Sequence, residues 1–169
     1  MNDILKKDTE KRLDYALIIE IEQAYEKNSN DWDKFNETNV FSTPFHAWSY
    51  CKNISSTYGI ARYHLIARNE HKKIIGTFPL VLIRSRIFGS KLLSLPYCEY
   101  GGPLVTENVI PTLPKLIDYA VELSSKLNID YIEIRNPSLR NKVFFEDKHF
   151  KPIQKYVSLR LFKSLIRQF

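Results

Sequence analysis

Residues 62–95 carry a strand pattern interrupted twice by turns, and residues 108–128 then switch to the helical period. That order constrains the fold more than any single motif does. Residues 62–68 (RYHLIAR) alternate, 69–72 (NEHK) form a polar turn, and 73–86 read as one long second strand. Phe88-Gly89-Ser90 turns the chain into a third strand at 91–95. The expected product is an antiparallel meander. Leu113, Leu116, Ile117, Ala120, Val121 and Leu127 then recur at helical spacing, which predicts an amphipathic helix over 108–128. Residues 131–134 (YIEI) predict a further strand, ended by Asn136-Pro137.

The flanking segments fill out the order. Residues 1–14 read as a polar arm and 15–24 (YALIIEIEQA) as a first strand. Asn30 is placed to cap a short helix with Asp31 and Asp33 in its first turn. Thr43-Pro44 marks the start of a second helix, which would run to Tyr58 and stop at Gly59. A short helix or loop around 139–145 leads to a last strand at 154–162. Strand, helices, three strands, helix, strand and strand fit a single α/β (mixed α+β) domain over 15–169, a mixed sheet with helices on its faces.

Composition removes several classes. With 44% hydrophobic and 13% aromatic residues, wholesale disorder is excluded. Apolar runs reach only about six residues, as at 78–83 (FPLVLI), where a membrane span needs about 20. The charged start MNDILKKDTEKRLD does not resemble a signal peptide, so a soluble, cytoplasmic protein is expected. Cys51 and Cys98 make no disulfide framework, and His46, His64, His71 and His149 show no ligand spacing, so no metal is expected. The net charge of +6 comes entirely from residues 140–169, which hold eight Lys and Arg against two Asp and Glu. Such an end could meet phosphates, a tRNA included, or be a solvated face.

Residues 94–105 (SLPYCEYGGPLV) set two Tyr, a Cys, a Glu, a Gly pair and two Pro between apolar ends. Gly101-Gly102 admits backbone conformations closed to other residues, and Pro96 and Pro103 stiffen both shoulders. This predicts a shaped loop beside a cleft. Together with WDKFNETN, STPFHAWSY, IIGTFPLVLIRSRIFGSKL and IDYIEIR, it resembles the N-terminal half of FemAB-like acyltransferases, closest to the branch found with exopolysaccharide and exosortase systems. The likeness covers roughly residues 31–161, and LPYCEYGGPL is its most specific part.

The resemblance implies a GNAT-like N-acyltransferase fold. It also implies transfer of an aminoacyl or acyl group to an amine of a cell-envelope or polysaccharide precursor. Members of that family carry two such domains in one chain, with the cleft between or beside them. A chain ending at Phe169 therefore reads as the first domain alone, needing a second GNAT-like domain or a homodimer, or acting as a non-catalytic substrate-binding module. The glycine-rich turn by which GNAT enzymes hold the acyl-CoA pyrophosphate is absent from the sequence. No cofactor is accordingly expected on this domain, and the donor, aminoacyl-tRNA or acyl-CoA, would be bound by the missing half.

The candidate substrate contacts are Tyr97, Glu99, Tyr100, Gly101 and Gly102 of the loop, with Arg84, Arg86 and Arg135. Glu99 is the candidate general base, and a substrate contact and a turn-stabilising carboxylate are its alternatives. Tyr97 and Tyr100 could hydrogen-bond a carbonyl or stack on a sugar or base. Arg84, Arg86 and Lys91 surround one turn and either hold phosphates or stand in solvent. Arg135 either reaches substrate or caps its strand end. Cys98 has no positioned base to make it a nucleophile. His46 either contacts phosphate or belongs, with Phe45 and Trp48, to the core.

Overall fold

Pro79 interrupts what the sequence presents as one long strand, and the break organises the molecule. The computed structural model describes residues 18–106, 111–135, 151–152 and 158–162. Within them the strands are β1 (Glu20–Gln23), β2 (Ala61–Arg62), β3 (Leu65–Arg68), β4 (Ile74–Phe78) and β5 (Val81–Ser85). They continue as β6 (Gly89–Leu93), β7 (Leu104–Val105), β8 (Tyr131–Arg135), β9 (Lys151–Pro152) and β10 (Ser158–Phe162). Pro79 has no N–H to give to a ladder. Beside it, the Leu80 N–H goes to the His64 ring and the Leu80 carbonyl accepts from Tyr63. The hairpin is thereby divided at 63–64 and 79–80. Its far half lies in a four-stranded sheet ordered β1-β3-β4-β7, and its near half in a six-stranded sheet ordered β2-β5-β6-β8-β10-β9. The single strand expected over 73–86 is thus two strands in two sheets, as is the strand expected over 62–68.

Three helices accompany the sheets among the described residues: α1 (Ser29–Thr38), α2 (Trp48–Tyr58) and α3 (Thr112–Lys126). Asn30, expected as a cap, lies inside α1. Asn28 stands at its start and accepts the Tyr25 N–H, closing a preceding 3-10 turn. The helix expected from Thr43-Pro44 is one 3-10 turn, Pro44–His46, followed by extended Ala47. α2 begins only at Trp48, whose N–H is capped by Asp33 of α1. It ends as expected at Gly59, which takes the left-handed conformation. α3 occupies the expected amphipathic stretch, and Pro114 is tolerated in its first turn, where no N–H partner is needed.

β8 follows α3 and pairs parallel with β6, and β10 returns antiparallel to β8. Both faces of the four-stranded sheet are covered, which is why β4 is buried along its whole length. On one face Leu113, Leu116, Ile117 and Ala120 of α3 pack with Leu65, Ala67, Ile75 and Leu80. On the other, Trp32 and Trp48 pack with Ala24, Ile66 and Ile74. Gly76 lets α3 approach: a Cβ there would lie 2.9 Å from Thr112 Cγ2 and 3.1 Å from Leu116 Cδ1. The polar arm at 1–14, the segment at 139–145 and most of the basic C-terminal end lie outside the described residues. No helix among the described residues is long and apolar enough to cross a membrane.

Truncating Leu116, fully buried at the centre of this contact, to Ala should lower unfolding stability by about 2–5 kcal/mol in urea titration. The same change at the exposed Val40 should cost almost nothing.

Candidate functional site

The chain leaves the edge of β8 at the end of β6 and joins the other sheet at β7, and residues 94–103 span the divergence. They replace the strand that left. The Ser94 N–H donates to the Glu133 carbonyl at 3.0 Å, and Ser94 Oγ accepts the Arg135 N–H at 2.7 Å. Farther along, the Gly101 N–H donates to the Arg135 carbonyl at 3.1 Å. The end of β8 is therefore satisfied by a loop instead of a strand.

The Gly pair acts differently from the expectation. Neither Gly101 nor Gly102 has the positive φ that favours glycine; Leu95 (φ 62) and Tyr97 (φ 58) have it instead. Gly101 is required by crowding, because a Cβ would sit 2.8 Å from the Ser94 carbonyl oxygen and 3.0 Å from Cys98 Sγ. Left-handed backbone at non-glycine residues costs about 1–2 kcal/mol each, so the loop must be held from outside. Tyr50 Oη donates to the Tyr97 carbonyl, Arg135 Nη1 to the Cys98 carbonyl at 2.8 Å, and Thr43 Oγ1 to the Tyr100 carbonyl.

His46 is the deepest brace. Its Nδ1 accepts the Thr43 N–H at 3.1 Å, so the neutral ring carries its proton on Nε2, which donates to the Gly102 carbonyl at 3.1 Å. Its own carbonyl accepts from Trp32 Nε1 and Asn36 Nδ2. Burial pushes the imidazole below its ordinary pKa, outweighing the backbone bonds. A fully buried His46 is out of reach of a substrate phosphate, so the core alternative is the correct one. His64 is also buried, against both tryptophans, and burial together with the Arg62 charge pushes it down to about 3.

Cys51 and Cys98 pack with Leu95 and Phe45 beneath the loop. Burial raises their thiols to about 12 and about 11, so both are protonated at neutral pH and poor nucleophiles. Above them the loop presents a polar, aromatic rim. Tyr97, Glu99 and Tyr100 are exposed, and the Tyr97 ring stacks on Tyr58 of α2 with centroids 4.7 Å apart. Glu99 has no hydrogen bond or ion pair with another described residue.

The arginines divide. Arg135 belongs to the loop but is committed to bracing it, through the Cys98 carbonyl and an ion pair with buried Glu133 at 3.7 Å. Glu133 also holds Lys91 at 3.0 Å. Sequence reasoning did not single out Glu133, and a strand Glu between apolar neighbours was the only signal for it. Arg84 and Arg86 lie at the other end of β6, by the β5–β6 turn, where Arg84 Nη2 donates to the Leu127 carbonyl. The structure thus brings Tyr97, Glu99, Tyr100, Gly101, Gly102 and Arg135 together, and not Arg84 and Arg86. Among the described residues no cluster of His, Cys, Asp and Glu is suited to a metal ion.

No protein-family model matches the chain, and no curated protein matches it in sequence. Solved structures share its fold. It superposes on a GNAT family acetyltransferase from Staphylococcus aureus Mu50 with a TM-score of 0.56 and 19% identity, covering 82% of this chain and 87% of that one. The GNAT family N-acetyltransferase YhbS from Escherichia coli, in complex with CoA, gives a TM-score of 0.61 at 12% identity, covering 90% and 87%. Spermidine N-acetyltransferase from Vibrio cholerae, with CoA and spermine, gives 0.54 at 11%, covering 88% and 98%. The chain has the GNAT fold, as expected.

Two outcomes test this site. Gly101→Ala should destabilise the protein, with amide exchange in residues 94–103 accelerating before exchange in β4. As pH falls below the ordinary histidine value of 6.5, unfolded chains take up protons that folded His46 and His64 refuse. Stability should therefore fall as pH drops from 6.5 toward about 3, with His64 contributing up to about 1.4 kcal/mol per unit and His46 acting in the same direction. His64→Gln should flatten the slope measured by urea unfolding above the carboxylate range.

Proposed function

We propose that the chain is a GNAT-type acyltransferase moving an acyl or aminoacyl group onto an amine, with the loop at 94–103 as the wall that receives the amine. The observation that carries this reading is Glu99, an exposed carboxylate two residues along the chain from Tyr97, whose ring stacks on Tyr58, on a loop whose backbone is braced along its length. A protonated amine is drawn to aromatic faces and to a carboxylate. Once the amine is neutral, its nitrogen attacks the donor carbonyl carbon. Glu99 takes the proton directly or through one water, and the bond to the leaving thiol or hydroxyl breaks as that group receives a proton. Holding the two substrates in register supplies much of the acceleration.

The FemAB-like resemblance extends the reading to an acceptor amine on a cell-envelope or polysaccharide precursor. It also supports an aminoacyl-tRNA donor and a second GNAT-like domain, or a second copy, completing the cleft. A non-catalytic binding module is the second reading. It is favoured by the loop satisfying the end of β8 and by residues 106–111 (TENVIP), which join β7 to α3 without a glycine to cradle a pyrophosphate.

Turnover assays with acetyl-CoA or aminoacyl-tRNA, across polyamine, amino-sugar and peptidyl amines, separate the two. The enzyme reading expects amide product, a kcat reduced about 10²–10⁴-fold by Glu99→Gln, and a raised KM in Tyr97→Ala. Binding of an amine-bearing glycan with no product from either donor would establish the module.

A further inference from the structure

The turn between β5 and β6 is built against the usual rule for a protein surface. Ile87 and Phe88, adjacent at its tip, are 84% and 78% exposed. Arg84 and Arg86 stand exposed on the strand side of the same turn. The tip is not a loose excursion. Ser85 Oγ accepts the N–H of both Ile87 and Phe88, at 3.2 and 3.1 Å, and Gly89 supplies the left-handed residue that closes the turn. Its base is fastened by Asp130, whose carboxylate accepts the N–H of Ser90 at 2.6 Å and the Ser90 hydroxyl at 3.0 Å. Arg84 Nη2 ties the same base to the Leu127 carbonyl at the end of α3, one residue past Lys126.

From this geometry we infer that the β5–β6 tip docks on an anionic lipid surface, Ile87 and Phe88 entering the interface while Arg84 and Arg86 meet the headgroups. Two observations select a bilayer as the occupant. Apolar side chains flanked by cations combine the two weak signals that together hold a protein at a membrane. The N–H groups of Ile87 and Phe88, the two residues that would enter the interface, are also already paired within the turn, so they can leave water without the penalty of unmet donors. The Asp130 carboxylate, which accepts from Ser90, keeps its charge, but Arg84 and Arg86 outnumber it at this turn. The tip lies at the opposite end of β6 from the loop at 94–103, so docking there leaves the candidate acceptor site uncovered. The inference is independent of the acyl-transfer reading.

The test is co-sedimentation of the full chain with vesicles of phosphatidylcholine containing phosphatidylglycerol, against phosphatidylcholine alone. Binding is expected only to the anionic vesicles, weakening with salt. Arg86→Gln should lower the partition coefficient about fivefold, the factor equivalent to about 1 kcal/mol per cation at such a surface. Ile87→Ser with Phe88→Ser should abolish the binding without lowering stability, since both side chains are exposed. Phe88→Trp adds a direct readout, because Trp32 and Trp48 are buried and its emission should shift to the blue on vesicle binding. Several results would overturn the proposal. They are no binding of the wild type, undiminished binding by the double Ser variant (which would assign it to the basic C-terminal end), or light scattering showing that the tip instead joins two copies.

Discussion

His46 is the joint on which the arrangement turns. Its carbonyl is held by Trp32 and Asn36 of α1, and its ring by Thr43 on one side and Gly102 on the other. Asn36 in turn accepts from Thr77 of β4 at 2.9 Å. One fully buried residue therefore couples the helical layer, the four-stranded sheet and the loop at 94–103. The coupling works only with a neutral imidazole, because Nδ1 must accept a backbone N–H while Nε2 donates to a carbonyl. Burial, which disfavours the charged ring, maintains that state.

The loop exists because the two sheets part. Pro79 ends one ladder and Val81 begins another, so the strands that continue from them diverge, and β6 and β7 cannot be one straight strand. The residues joining β6 to β7 must cross the gap while the end of β8 still needs backbone partners. Ser94 and Gly101 provide them, and Arg135 and Tyr50 hold the carbonyls at Cys98 and Tyr97. Leaving a buried N–H or carbonyl unpaired would cost about 1–3 kcal/mol apiece. Left-handed backbone at Leu95 and Tyr97 costs comparable amounts, and the network makes the strained path the lower one. The rim of Tyr97, Glu99 and Tyr100 follows from this. With the backbone committed inward, the polar side chains of the loop stand outward.

Particular residues show how far the pattern could be read. The helical period at Leu113, Leu116, Ile117 and Ala120 located α3, because one apolar stripe on one sheet face leaves a plain signature. Gly59 ended α2 as its sequence position required. The division of the strand at 73–86 was hidden, since residues 74–81 are buried throughout and alternation marks only strands with one face in water. Thr43-Pro44 gave a sound helix-start signal, yet the helix begins at Trp48 because Asp33, fifteen residues earlier, caps it. Gly101 announced a special backbone. What it answers to is the crowding of Ser94 and Cys98, which no local pattern encodes.

The sequence by itself determined most of the strands and helices, the mixed α/β class, the helix that covers one face, and a shaped segment at 94–105 as the most individual part of the chain. Those properties rest on local periodicity and on the steric limits of Gly and Pro. Tertiary structure alone decided that His46 supports the loop from within, that Arg135, paired with buried Glu133, braces it at the Cys98 carbonyl, and that Arg84 and Arg86 stand at the far end of β6. Each depends on which groups meet across the divergence of two sheets. Pairings between residues tens of positions apart in the chain are set by the shared core and by the need to satisfy buried polar groups, and neither is written in any short stretch of sequence.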